Sequence, residues 1–139
     1  MALSGLFLVS FLVIHVSINL ISVFSEDAFN QASHFMGTNP LIQFALQPVL
    51  MFGVFFHLIM GIYLELKNNS ARQVKYAYNK PSANSSWMSR NMIYTGLVIF
   101  AFLGLHFYDF WIHEINVKYI NVMPEDATRY FHETVEKFQ

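Results

Sequence analysis

Cysteine is absent from the 139-residue chain. That excludes disulfides, thiolate zinc sites and cysteine-held iron–sulfur clusters on this chain. Charge is scarce as well: 12% of residues, against about a quarter in ordinary soluble domains, with a net charge of −1. No basic patch is interleaved with aromatic residues, so nothing points to nucleic acid. What fills the sequence is apolar, 55% of it, with Phe the most conspicuous at 15 residues. A chain of this size and composition reads as one unit built for a hydrocarbon solvent.

Charge is missing in long windows: 1–25, 28–64 and 91–108 carry no Asp, Glu, Lys or Arg. Crossing a bilayer takes about 20 residues at 1.5 Å per residue. The pattern predicts an all-α integral membrane bundle of three helices, at about 2–24, 42–65 and 91–114. Asn39-Pro40 marks the turn before the second helix, and Pro48 falls inside its first turns. The first run has no basic flank and no small-residue cleavage site, so it is not read as a signal peptide.

The 25–41 loop carries Glu26 and Asp27 and no cation, whereas the 66–90 loop carries Lys67, Arg72, Lys75, Lys80 and Arg90. The positive-inside rule then makes 66–90 cytoplasmic and leaves a tail, 115–139, outside. In that tail Asp126 is placed to cap a short helix with Phe131, Val135 and Phe138 on one face, a helix suited to the membrane surface. The cations of 66–90, mixed with Tyr76, Tyr78 and Trp87, also suit the docking of a soluble partner.

His15, His57 and His106 fall one in each expected span. An ionisable ring in lipid is costly and marks a site, although a hydrogen-bonded structural histidine is the alternative for each alone. Zinc would want clustered ligands and a proton relay would want a carboxylate at depth; bis-histidine haem asks only for one imidazole from each of two helices. Phe11, Phe55, Phe56, Phe102 and Phe107 offer aromatic walls, and Gly5, Gly53, Gly61, Gly96 and Gly104 offer close approach. Ordinary helix packing would use the same residues. By depth, His15 and His106 lie level in the outer half, and His57 lies about 12 Å from the inner end of its helix.

An internal echo supports the grouping. GLFLVSFLVIH (5–15) and GLVIFAFLGLH (96–106) agree at Gly, Leu, Phe, Leu and His, with Met1 and Ser4 opposite Met92 and Thr95. Extending the repeat places a partner for His57 near position 148, so the chain reads as a piece of a longer subunit.

The segments FNQASHFMGTNPLIQF (29–44), FFHLIMGIYLEL (55–66), NKPSANSSWMSRNM (79–92) and LHFYDFW (105–111) complete the picture. With the three histidines, they resemble the cytochrome b membrane anchor of succinate dehydrogenase/fumarate reductase, in its single-subunit, five-helix, dihaem form. The resemblance implies haem b as cofactor, with His15 and His106 on the iron of an outer haem and His57 on that of an inner one. It implies menaquinone as substrate, and flavoprotein and iron–sulfur subunits as cytoplasmic partners that carry the succinate chemistry. It also implies a multi-pass place in a bacterial inner membrane. Glu26, at the outer edge, is a candidate proton acceptor for the quinol; an exposed carboxylate is more often merely solvated. A haem-free anchor and the cytochrome b of another membrane oxidoreductase are the competing readings.

Overall fold

The computed structural model describes residues 1–71, 83 and 85–138. Among these residues there is no strand, and three helices are long and apolar enough to cross a membrane: α1 (Ala2–Ile21), α3 (Ile42–Ser70) and α5 (Met92–Ile120). Between them lie α2 (Glu26–Thr38) and the short α4 (Trp87–Arg90); α6 (Arg129–Lys137) follows α5.

The spans pack through few points. α1 and α3 run antiparallel, as the contacts Ser4 with His57, Phe7 with Gly53 and Met1 with Gly61 show. At Gly53 the helices come so close that a Cβ there would meet Phe7 Cε1 at 2.8 Å. No residue of the three spans is fully buried. In hydrocarbon this is no defect, since apolar side chains gain nothing by hiding from lipid tails.

α2 lies in what the sequence reading treated as a loop. Ser25 starts it: its Oγ accepts the Ala28 backbone N–H at 3.2 Å, and Glu26 and Asp27 sit in the first turn, where the helix dipole favours anions. Asn39 closes α2 in extended backbone ahead of Pro40 and accepts the Leu41 N–H at 3.0 Å, so one residue ends α2 and opens α3. α3 begins with a widened turn, Ile42–Leu46, which makes room where the Pro48 ring would crowd the carbonyl four residues earlier.

The helix ends depart from expectation. α3 runs on to Ser70, helped by the Asn69 amide donating to Glu65 at 3.1 Å. α5 runs on to Ile120 because its late charges are paired: Lys118 meets Glu114 one turn away at 2.7 Å, and Arg129 reaches the same carboxylate. α1 stops at Ile21, where Ser22 Oγ donates back to the Asn19 carbonyl. α5 ends in a turn with Val122 at φ 45°.

The tail helix meets the rest of the chain: α6 packs on α2 and the end of α5. Phe131 meets Phe29 edge to face at 6.4 Å, and the Phe131 N–H donates to Asn30 Oδ1 at 2.8 Å. Phe29 and Asn30 are the only fully buried described residues. Asp126 does not cap α6; it accepts the Thr128 N–H and hydroxyl at 2.8 and 2.6 Å, holding the turn before the helix. Phe138 stays 80% exposed. We call this assembly of α2, the end of α5 and α6 the cap.

Candidate functional site

His15 on α1 and His106 on α5 meet. Their ring centres stand 5.6 Å apart with planes at 85°. His15 lies on the inward stripe of α1 with Ser4, Leu8 and Ile18, the i, i+4, i+11, i+14 pattern of one helix face. Each ring stacks on a phenylalanine one turn earlier in its own helix: Phe11 on His15 at 5.4 Å, Phe102 on His106 at 5.7 Å. This is the shared FLxxH end of the internal echo. Phe110 adds a further wall, 5.0 Å from His106, and was not singled out from the sequence. It stands in a second widened turn, Phe107–Ile112, directly after His106. Such turns recur at functional sites, and no proline accounts for this one.

Two imidazoles on one metal along a common axis place their ring centres about 6.4 Å apart, from a metal–nitrogen bond near 2 Å and a ring radius near 1.2 Å. The observed pair is within about 1 Å of that. Crossed planes are compatible with it, because each ring can turn about the shared axis. Among the described residues no three His, Asp or Glu side chains gather as a metal cluster. The pair offers two imidazole donors from different helices beside aromatic walls, a donor set that suits a flat apolar macrocycle better than a clustered metal site.

His57 is elsewhere. Its Nδ1 lies 2.9 Å from Ser4 Oγ, at the opposite end of α1 from His15. Ser4 and His15 are eleven residues apart, roughly 16 Å along a helix.

The chain is similar to the succinate dehydrogenase cytochrome b558 subunit of Bacillus subtilis (strain 168). Identity is 28% over 101 residues, which are 71% of this chain and 46% of that protein. The chain thus spans about half the length of the curated relative it matches. No family model matches the chain, and no solved structure does.

The other residues that bear on the site stand as follows. Glu26 occupies the first turn of α2, with His132 Nε2 3.5 Å from its carboxylate. Asp109 accepts from Lys137 Nζ at 3.1 Å and so ties α5 to the cap. Asn19 donates to the His15 carbonyl at 2.8 Å, a bond within its own helix. Phe56 stacks on Phe52 at 5.9 Å, and Phe107 packs on Trp111 at 6.3 Å. A Cβ on Gly96 or Gly104 would meet nothing within 4 Å. Arg72, Lys75, Tyr76, Tyr78 and Lys80 of the basic loop lie outside the described residues.

The cap carries a polar network that sequence reasoning did not find. Glu114 receives both Lys118 and Arg129, and Arg129 also donates to Glu133 at 2.8 Å. Burial alone would lower the Arg129 pKa; hydrogen bonds to Glu114 and Glu133 outweigh it and hold the guanidinium firmly charged. Arg129 also lies 4.4 Å over the Tyr130 ring. Burial, then the Glu114 charge, push the Tyr130 hydroxyl up to about 12. The Gly37 carbonyl accepts from Gln43 and Lys118, and a Cβ on Gly37 would stand 2.9 Å from the Tyr130 hydroxyl.

Proposed function

We propose that this chain is a haem b-binding membrane anchor of a succinate dehydrogenase or fumarate reductase. It would pass electrons between an iron–sulfur subunit and menaquinone. The observation that carries the reading is the meeting of His15 and His106 across α1 and α5, each ring walled by a phenylalanine. The similarity to a cytochrome b558 subunit points the same way. His15 and His106 would hold one haem iron and His57 a second haem, about a helix half-length away. Bound haem would supply one-electron transfer, with His15 and His106 as the residues that hold it.

The chain's own residues do the positioning. α1 and α5 bring the two donor rings together, and Phe11, Phe102 and Phe110 keep the space between them apolar. The Asp109–Lys137 pair ties α5, three residues past His106, to the cap. In this reading the cap is on the outer side of a bacterial cytoplasmic membrane, and Glu26 at its edge is a candidate proton acceptor for menaquinol. The basic 66–90 loop faces the cytoplasm and docks the iron–sulfur subunit, behind which a flavoprotein handles succinate.

The test is a reduced-minus-oxidised absorption spectrum of membranes carrying the protein. A b-type band that grows with succinate as reductant supports the assignment. Membranes with no band contain a haem-free anchor, and a band reduced only by formate or hydrogen belongs to another oxidoreductase.

A further inference from the structure

His57 is gripped at one ring nitrogen, and the direction of that bond decides what the other nitrogen can do. Its Nδ1 lies 2.9 Å from Ser4 Oγ, and a Cβ on Gly5 would meet its Cε1 at 3.5 Å. A serine hydroxyl has one proton and two lone pairs. Ser4 donates that proton to the Met1 carbonyl at 2.9 Å, the back-bond serine often makes in a helix. With its proton in that bond Oγ is left as an acceptor, and His57 Nδ1 then carries the N–H. In a neutral imidazole the second nitrogen, Nε2, then keeps its lone pair. We infer that Ser4 is a positioning residue: it fixes His57 as the Nδ1–H tautomer and so reserves Nε2 for a haem iron. This rests on the haem reading above.

Two further observations bear on it. The rings of His15 and His106 make no hydrogen bond to any described residue, so this grip is particular to His57 among the three. The same unit also recurs at the head of α5. There Thr95 Oγ1 donates to the Met92 carbonyl at 3.0 Å, Gly96 follows, and His106 stands as far beyond Gly96 as His15 stands beyond Gly5. The hydroxyl bonded back to a carbonyl, followed by glycine, is thus part of the repeated sequence pattern rather than an isolated contact.

A ligand imidazole that donates its outer N–H is a stronger electron donor and favours the oxidised metal. Losing the acceptor should therefore raise the midpoint potential of the haem on His57. The test uses the full membrane complex, with Ser4→Ala and Ser4→Thr compared by redox titration of the b-type bands and by low-temperature electron paramagnetic resonance. His57→Ala identifies which signal belongs to that haem. Ser4→Ala should change its oxidised-to-reduced ratio at fixed potential by about two- to tenfold, at most about 59 mV for a one-electron couple. The haem on His15 and His106 should not move, and Ser4→Thr should restore wild-type values. Loss of the His57 haem in Ser4→Ala, with retention in Ser4→Thr, supports the inference equally. An unmoved potential and resonance in Ser4→Ala, an equal shift of both haems, or failure of Ser4→Thr to rescue overturns it while leaving the haem assignment standing. Wild-type membranes without any b-type band sink the haem assignment itself.

Discussion

The spans and the cap are built on opposite plans. Along α1, α3 and α5 no residue is fully buried, and the helices meet at a few points such as Phe7 on Gly53 and His15 against His106. In the cap a buried Phe29–Phe131 contact sits under a mesh of charged pairs around Glu114 and Arg129. The difference follows from the solvent. Between helices in lipid there is no hydrophobic drive, so packing and a few polar contacts decide register. At the water boundary burial stabilises again, and charges can be both solvated and paired. The rings that would do chemistry therefore stand in the loosely packed region, fastened at one end by the tightly bonded one.

The largest break of this contrast is at the histidines. His15→Ala or His106→Ala should abolish one haem completely while His57→Ala removes only the other, counted by haem extraction and by the number of b-type components in a redox titration. Neither change should loosen the cap. Next in size is Phe29→Ala. Its side chain is 4% exposed, and truncation should weaken the cap by about 3 kcal/mol, the lower end for a buried phenylalanine. Limited proteolysis within α6 should accelerate accordingly, with the helical content of the spans unchanged.

A smaller effect separates the regions by pH. The Tyr130 hydroxyl is raised to about 12, from an unfolded value near 10. The folded cap thus favours the protonated phenol. Its contribution is complete below about pH 10 and is lost as the pH rises through about 12. Hydrogen exchange of α6 should quicken over that window, and Tyr130→Phe should flatten the dependence. The smallest effect is Val122→Gly. Val122 holds φ 45° and is 72% exposed, so a β-branched side chain there is strained and buries little. Glycine should stabilise the turn after α5 by about 0.5–1 kcal/mol in thermal unfolding of the cap.

How much of this was legible depended on which solvent a residue faces. Charge-free windows located the three spans, because a long apolar run has one use. The spacing from Gly5 to His15 and from Gly96 to His106 singled out the two rings that the fold brings together. The end of α5 was misjudged because Glu114 and Lys118 look like a boundary until Arg129, distant in sequence, is seen to neutralise them. α2 was passed over although Ser25, Glu26 and Asp27 spell a helix start; a polar stretch between two spans reads most simply as a loop. The apolar face of α6 was visible, but its partner was not, since nothing local to Phe131 names Phe29. Ser4 went unread as a partner of His57 because a hydroxyl in an apolar helix ordinarily bonds its own backbone, as this one also does.

The bond from the Phe131 N–H to Asn30 has a further consequence. Its ends are 101 residues apart, and two membrane crossings lie between them. As the chain leaves the ribosome, α2 is made early and waits on its side of the bilayer with Phe29 and Asn30 uncovered. Only when α5 has threaded to that same side can α6 arrive and cover them. A chain whose third span is inverted or left uninserted delivers α6 to the opposite side, and Phe29 stays exposed. Closure of the cap therefore requires that α3 and α5 have both crossed, so that α2 and α6 stand on one side.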